Sequence, residues 1–130
     1  MDKPNNWSRI NKRANGRGNG WSDEETARLV ALYLSMLHLQ SAGRLARATK
    51  ANPDNVSKAS LVKAFMAESG RTKGSVETKL MNISASMVAL GLPTVTGYKP
   101  LSNRSKGLDD VVQFVVGRMD VTMTLITGGA

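Results

Sequence analysis

The stretch Gly70-Arg-Thr-Lys-Gly-Ser-Val-Glu-Thr-Lys-Leu-Met-Asn-Ile-Ser-Ala-Ser-Met-Val-Ala-Leu-Gly91 limits what this chain can fold into. Val76, Leu80, Ile83, Met87 and Leu90 recur at alternating steps of four and three, the spacing of one helical face. Thr72 offers an N-cap, and Gly91 with Pro93 ends the run, so a helix is expected from Gly74 to Leu90. At about 100° per residue, the sector opposite the apolar row holds Gly74, Thr78, Met81, Asn82, Ala85 and Ala89, with Ser75 beside it. Those side chains are mostly small. The sequence therefore predicts a helix with a core row on one side and an approachable face on the other.

The same punctuation yields three more helices. Ser22 and Glu25 have the spacing of a capping box. The helix they open is expected to run to about Gln40, with Leu29, Val30, Tyr33, Met36 and Leu37 as its stripe and Gly43 past its end. Trp21 is expected to fold back on the core. Residues 43–56 read as a basic connector whose first part forms a short helical turn. A second helix follows from about Ser57 to Glu68, with Leu61, Val62, Phe65 and Met66 inward, and Gly70 stops it. A fourth, from about Ser105 to Arg118, turns Leu108, Val111, Val112, Val115 and Met119 inward, with Phe114 beside them. Short strand segments are expected near 93–100, around Pro93, Gly97 and Pro100, and near 121–126. The fold class is thus all-α: a small bundle of about four helices with a helix–turn–helix-like core. Residues 1–20 form a flexible basic arm, 21–119 the helical domain and 120–130 a C-terminal tail.

Charge narrows the function. The net charge is +8, and residues 1–20 hold five cations against one acid. Such a surplus draws polyanions by Coulomb attraction and counterion release. The absence of cysteine excludes disulfide scaffolds, thiolate metal clusters and thiol catalysis. No apolar run has the length of a membrane span, so a cytoplasmic protein with no membrane partner is expected. Aromatics make up 5% of residues, too few for a stacking platform, which favours double-stranded DNA over single strands or RNA.

On this reading the third helix enters a groove by its N-terminal half. Arg71, Lys73, Ser75, Thr78, Lys79 and Asn82 are the expected DNA contacts, Asn82 through an adenine edge. Arg9, Lys12, Arg13 and Arg17 on the arm, Arg44 and Arg47 on the connector, and Lys99 beside Tyr98 are expected to meet phosphates. Tyr98 itself is expected to pack inward and fix the returning chain.

The helix order, opened by Trp21-x-x-Glu-Glu25, resembles a Myb/SANT or homeodomain-like bundle. A closer resemblance covers about residues 21–118. Gly74-Ser-Val-Glu-Thr-Lys-Leu-Met-Asn-Ile-Ser-Ala85, then Leu90-Gly-Leu-Pro93 and Gly97-Tyr-Lys-Pro-Leu101, is similar to an N-terminal domain of McrA-like, HNH-type restriction endonucleases. That resemblance implies a DNA-associated accessory module in a bacterial or phage setting. Met81 stands where the family pattern carries His or Gln, and Arg104 where it carries an aromatic.

Catalysis is not expected. These residues include no HNH segment, and His38 is the only histidine. Asp23-Glu24-Glu25 and Asp109-Asp110 open helices, where the macrodipole explains them. Gly16-x-Gly-x-Gly20 lacks the strand and the Lys-Ser/Thr of a phosphate loop. No cofactor or metal is implied. The alternative to DNA binding is a protein-interaction module, such as a phage-encoded inhibitor that occupies a host nuclease or a CRISPR-type nucleoprotein complex.

Overall fold

A computed structural model describes residues 20–118. Four helices follow in order: α1 (Asp23–Ser41), α2 (Lys58–Ser69), α3 (Lys73–Ala89) and α4 (Leu108–Arg118). There is no strand among the described residues, so the all-α expectation holds for them. Helices α1 and α3 pack on each other and on both remaining helices. Helices α2 and α4 flank this central pair without meeting.

The first three helices start where their caps dictate. Ser22 Oγ accepts from Glu25 N at 3.0 Å, Ser57 Oγ from Ser60 N at 3.1 Å, and Thr72 Oγ1 from Ser75 N at 3.1 Å. The capping box at α1 is only half made. Both Glu25 carboxylate oxygens go instead to Arg71, at 2.8 Å each. An exposed box bond is worth little beside a two-pronged charge-assisted pair. Gly70 ends α2 in the left-handed region at φ 78°, and its N–H closes on Met66 O at 2.8 Å. Three residues, Gly70 to Thr72, then separate α2 from α3.

The core is the expected stripes brought together. Leu29, Val30, Tyr33, Leu34 and Met36 of α1 meet Val76, Leu80, Ile83 and Met87 of α3, all with no exposed surface. Val62 and Phe65 of α2 and Leu108, Val111 and Val112 of α4 complete it. Burying each such side chain contributes on the order of 1.5–3 kcal/mol.

Two connecting segments differ from expectation. The connector after α1 forms no helical turn. It closes on itself through a lone parallel bridge between Leu45 and Val56, and the Arg44 guanidinium donates twice to Asp54 O, at 3.1 and 2.8 Å. Residues 93–100 form no strand. Pro93 and Pro100 have no N–H for a ladder, and side chains satisfy the backbone between them. Val95 N donates to Tyr33 OH at 2.9 Å. Gln40 bridges Thr94 O and Thr96 N, and Lys58 Nζ donates to Thr96 O at 2.7 Å. Helix α4 starts three residues later than Ser105, after a turn closed by Leu108 N on Ser105 O. Arg104 pairs with Asp109 there, at 2.7 and 3.0 Å. The basic arm up to residue 19, the strand expected near 121–126 and Met119 lie outside the described residues.

Candidate nucleic-acid interface

Three buried polar residues in α3 show what surrounds that helix. Ser84 Oγ meets Tyr33 OH of α1 at 2.7 Å. Ser86 Oγ donates to Asp109 of α4. Asn82 Nδ2 donates to Leu101 O at 2.7 Å, and Leu101 N returns a bond to Met81 O at 3.0 Å. The chain returning from α3 therefore lies across the helix's outer side at its middle. Asn82, under that chain, is 8% exposed, and Ala85, one turn on from Met81, is 5% exposed.

This corrects the expectation of an open outer face. The small residues in the middle of α3 accommodate the protein's own chain. Asn82, expected to meet an adenine edge, instead gives its Nδ2 to the Leu101 carbonyl and is 8% exposed. The outer face stays open only at the ends: Lys73, Gly74 and Thr78 at the start, Val88 and Ala89 at the finish, with Ser75 half-buried.

Arg71 is also engaged internally. Besides gripping Glu25, its Nη2 donates to Gly20 O at 2.9 Å, and its guanidinium lies 4.0 Å over the Trp21 ring. Trp21 stacks on Phe65 with centroids 6.0 Å apart, so it does fold back on the core. Lys79 Nζ approaches the same indole at 5.7 Å. Partial burial, and next the charge of Arg71, push the Lys79 ammonium pKa down, while Asp23 and Glu25 oppose that shift. Arg71 and Lys79 thus belong to a clamp joining the start of α1 to the α2–α3 turn.

The open cationic surface lies one step away. A groove of about 650 Å³ runs between α2, α3 and the returning segment, lined by Lys58, Lys63 and Lys73 with Glu77 the sole acid. Its walls are Ala59, Val62, Met66, Met81, Gly97 and Tyr98. Lys58 Nζ sits 4.7 Å above the Tyr98 ring. Gly97, at φ 99°, makes room for that ammonium: a Cβ there would collide with Lys58 Nζ. Tyr98 is 8% exposed; burial foremost, with Glu77 and Tyr33 adding, pushes its phenol pKa up to about 12.

The first turns of the helices sharpen the contrast in charge. Asp23, Glu24 and Glu25 open α1, and Asp109 and Asp110 open α4. Helices α2 and α3 have no acid in their first turns and start on Lys58 and Lys73. A cation at a helix N-terminus opposes the macrodipole. Both lysines border the groove.

The structure thus gathers Lys73 with Lys58 and Lys63, two residues that sequence reasoning passed over. The missing first-turn acids of α2 and α3 were the available signal. Ser75, half-buried, and Thr78, exposed, lie on other sides of α3 and do not line the groove, and neither do the exposed Arg44, Arg47 and Lys99. Arg9, Lys12, Arg13 and Arg17 lie outside the described residues. His38 is exposed on α1, and no cluster of three or more His, Cys, Asp or Glu side chains that could hold a metal ion occurs among the described residues. No helix among them is long and apolar enough to cross a membrane. Comparison with protein-family models, with curated proteins and with solved structures found no match.

Proposed function

We propose that this is a non-catalytic, cytoplasmic DNA-binding protein that lays its α2–α3 edge and the exposed start of α3 against a duplex. The carrying observation is the groove lined by Lys58, Lys63 and Lys73 around one acid. Lys58 is held by Thr96 O and the Tyr98 ring, whereas Lys73 is exposed at the start of α3, where it opposes the helix dipole and an external anion would offset that cost. Lys73, Ser75 and Thr78 supply the helix contacts, and the five cations of residues 1–20 add to the pull on phosphate. The resemblance of 74–85 and 97–101 to a restriction-endonuclease N-terminal domain supports a defence-related setting. The α2–turn–α3 pair supplies the helix–turn–helix element of this reading.

The test is a duplex titration over a salt series. Micromolar or tighter binding at low salt that weakens steeply with salt supports the proposal. Weaker duplex binding, together with a stoichiometric complex with a nuclease or nucleoprotein, would replace it with the interaction-module reading.

A further inference from the structure

Resting on that reading, we infer that the α2–α3 groove seats one sugar–phosphate strand and engages the duplex without regard to base sequence. The lining chemistry decides between backbone and base contact. Base edges are read by Arg or Lys on guanine, Asn or Gln on adenine and Asp or Glu on cytosine, with the planar forks of Arg, Asn and Gln giving the tightest geometry. The groove presents none of those planar forks, and its one carboxylate, Glu77, stands among three lysines. All its cations are lysines, which are compact point charges suited to phosphate oxygens rather than to a planar edge. The side chains that would have supplied a fork nearby are occupied: Arg71 by Glu25 and Gly20, Asn82 by Leu101.

The lysines are also distributed as a track. Lys58 starts α2, Lys63 lies five residues along it, about 7.5 Å of axial rise, and Lys73 starts α3. Between them the wall is Val62, Met66 and Met81, an apolar surface that suits the carbon face of deoxyribose. Lys58 is held ready. Its ammonium spends one proton on Thr96 O and lies over Tyr98, leaving donors for a phosphate. Glu77 is the opposing term, a carboxylate that repels the same strand.

The experiment uses the full chain and two fluorescent duplexes of equal composition and unrelated sequence. Affinity is measured from 50 to 200 mM salt for the wild type, Lys63→Ala, Lys73→Ala and Glu77→Gln. Both lysines are exposed, so these variants should fold, and circular dichroism checks it. The two duplexes should bind within about twofold of each other, since a single unfavourable base pair in a read site costs about 1–3 kcal/mol, fivefold or more. Each lysine removal should lower the salt slope by about 0.9, or roughly 3.5-fold over this range, equally on both duplexes. Glu77→Gln should tighten both. A preference of tenfold or more for one duplex overturns the inference. So does an unchanged slope in both lysine variants while the wild type binds, and in that case DNA binding survives through another surface. Failure of the wild type to bind either duplex removes the DNA-binding reading itself.

Discussion

The first two turns of α3 and the stretch from Leu80 to Met87 belong to one helix but live in different surroundings. In the first part Lys73, Gly74 and Thr78 face outward. In the second only Met81 keeps partial exposure, and the other seven residues are buried. A helical wheel treats Thr78, Asn82, Ala85 and Ala89 as one face. The fold divides that face, because the chain after Pro100 crosses it at Asn82. Small residues along a helix thus mark close approach without saying whether the neighbour comes from inside or outside.

The contrast is most sharply tested by placing the same lysine in both parts. Ala85→Lys puts an unpaired charge into a sealed contact and should destabilise by about 4 kcal/mol, near the upper end for single substitutions. Thr78→Lys, two turns earlier on the same face, should change stability by less than about 0.5 kcal/mol and tighten duplex binding. Chemical denaturation and the duplex titration read the pair. Equal tolerance at both sites would show that the face is continuous after all.

Next in size is Asn82→Ala, which leaves the Leu101 carbonyl without its side-chain donor. The expected cost is about 1–3 kcal/mol, visible in denaturant melts, with duplex affinity of the folded fraction unchanged. A loss of affinity without loss of stability would return Asn82 to the interface.

These two positions also show what could be read beforehand. Caps and stops at Ser22, Ser57, Gly70 and Thr72 are local chemistry, so helix order and most boundaries were legible. The apolar rows were legible for the same reason. What lies over the outer face of α3 depends on contact between residues 19 positions apart, and no local pattern records it. The same holds for Glu25, whose cap spacing points to Ser22 while its carboxylate meets Arg71, 46 positions away. Lys58 and Lys63 became visible as a pair with Lys73 only once α2 lay beside α3.

A smaller effect separates the buried part of α3 through pH. The Arg104 guanidinium, then the Ser86 hydroxyl, hold the Asp109 carboxyl below its usual range. A depressed carboxylate contributes stability that is present above the unfolded value, about 3.9, and is lost as pH falls through the folded value. Asp109→Asn should therefore flatten the decline of melting temperature below about pH 4. An unchanged acid profile would remove Asp109 from the contacts that hold α4 to α3.

The smallest expected stability effect is at Lys73→Ala, within about 0.5 kcal/mol, because the residue is exposed and opposes the dipole of its own helix. A stability loss beyond about 1 kcal/mol would mean that the fold depends on the start of α3 no less than on its middle.

Asn82, Ser84 and Ser86 give the bundle something beyond cohesion. An all-aliphatic helix rotated by a few tens of degrees, or slid by one residue, could settle into a neighbouring arrangement of similar energy. Here any such movement parts three short, directional contacts at once: one to the returning chain, one to α1 and one to α4. Alternate seatings of α3 are thereby excluded. Lys73 and Thr78 are carried on a helix whose azimuth is keyed from its far end, so the orientation they present is fixed before any ligand arrives.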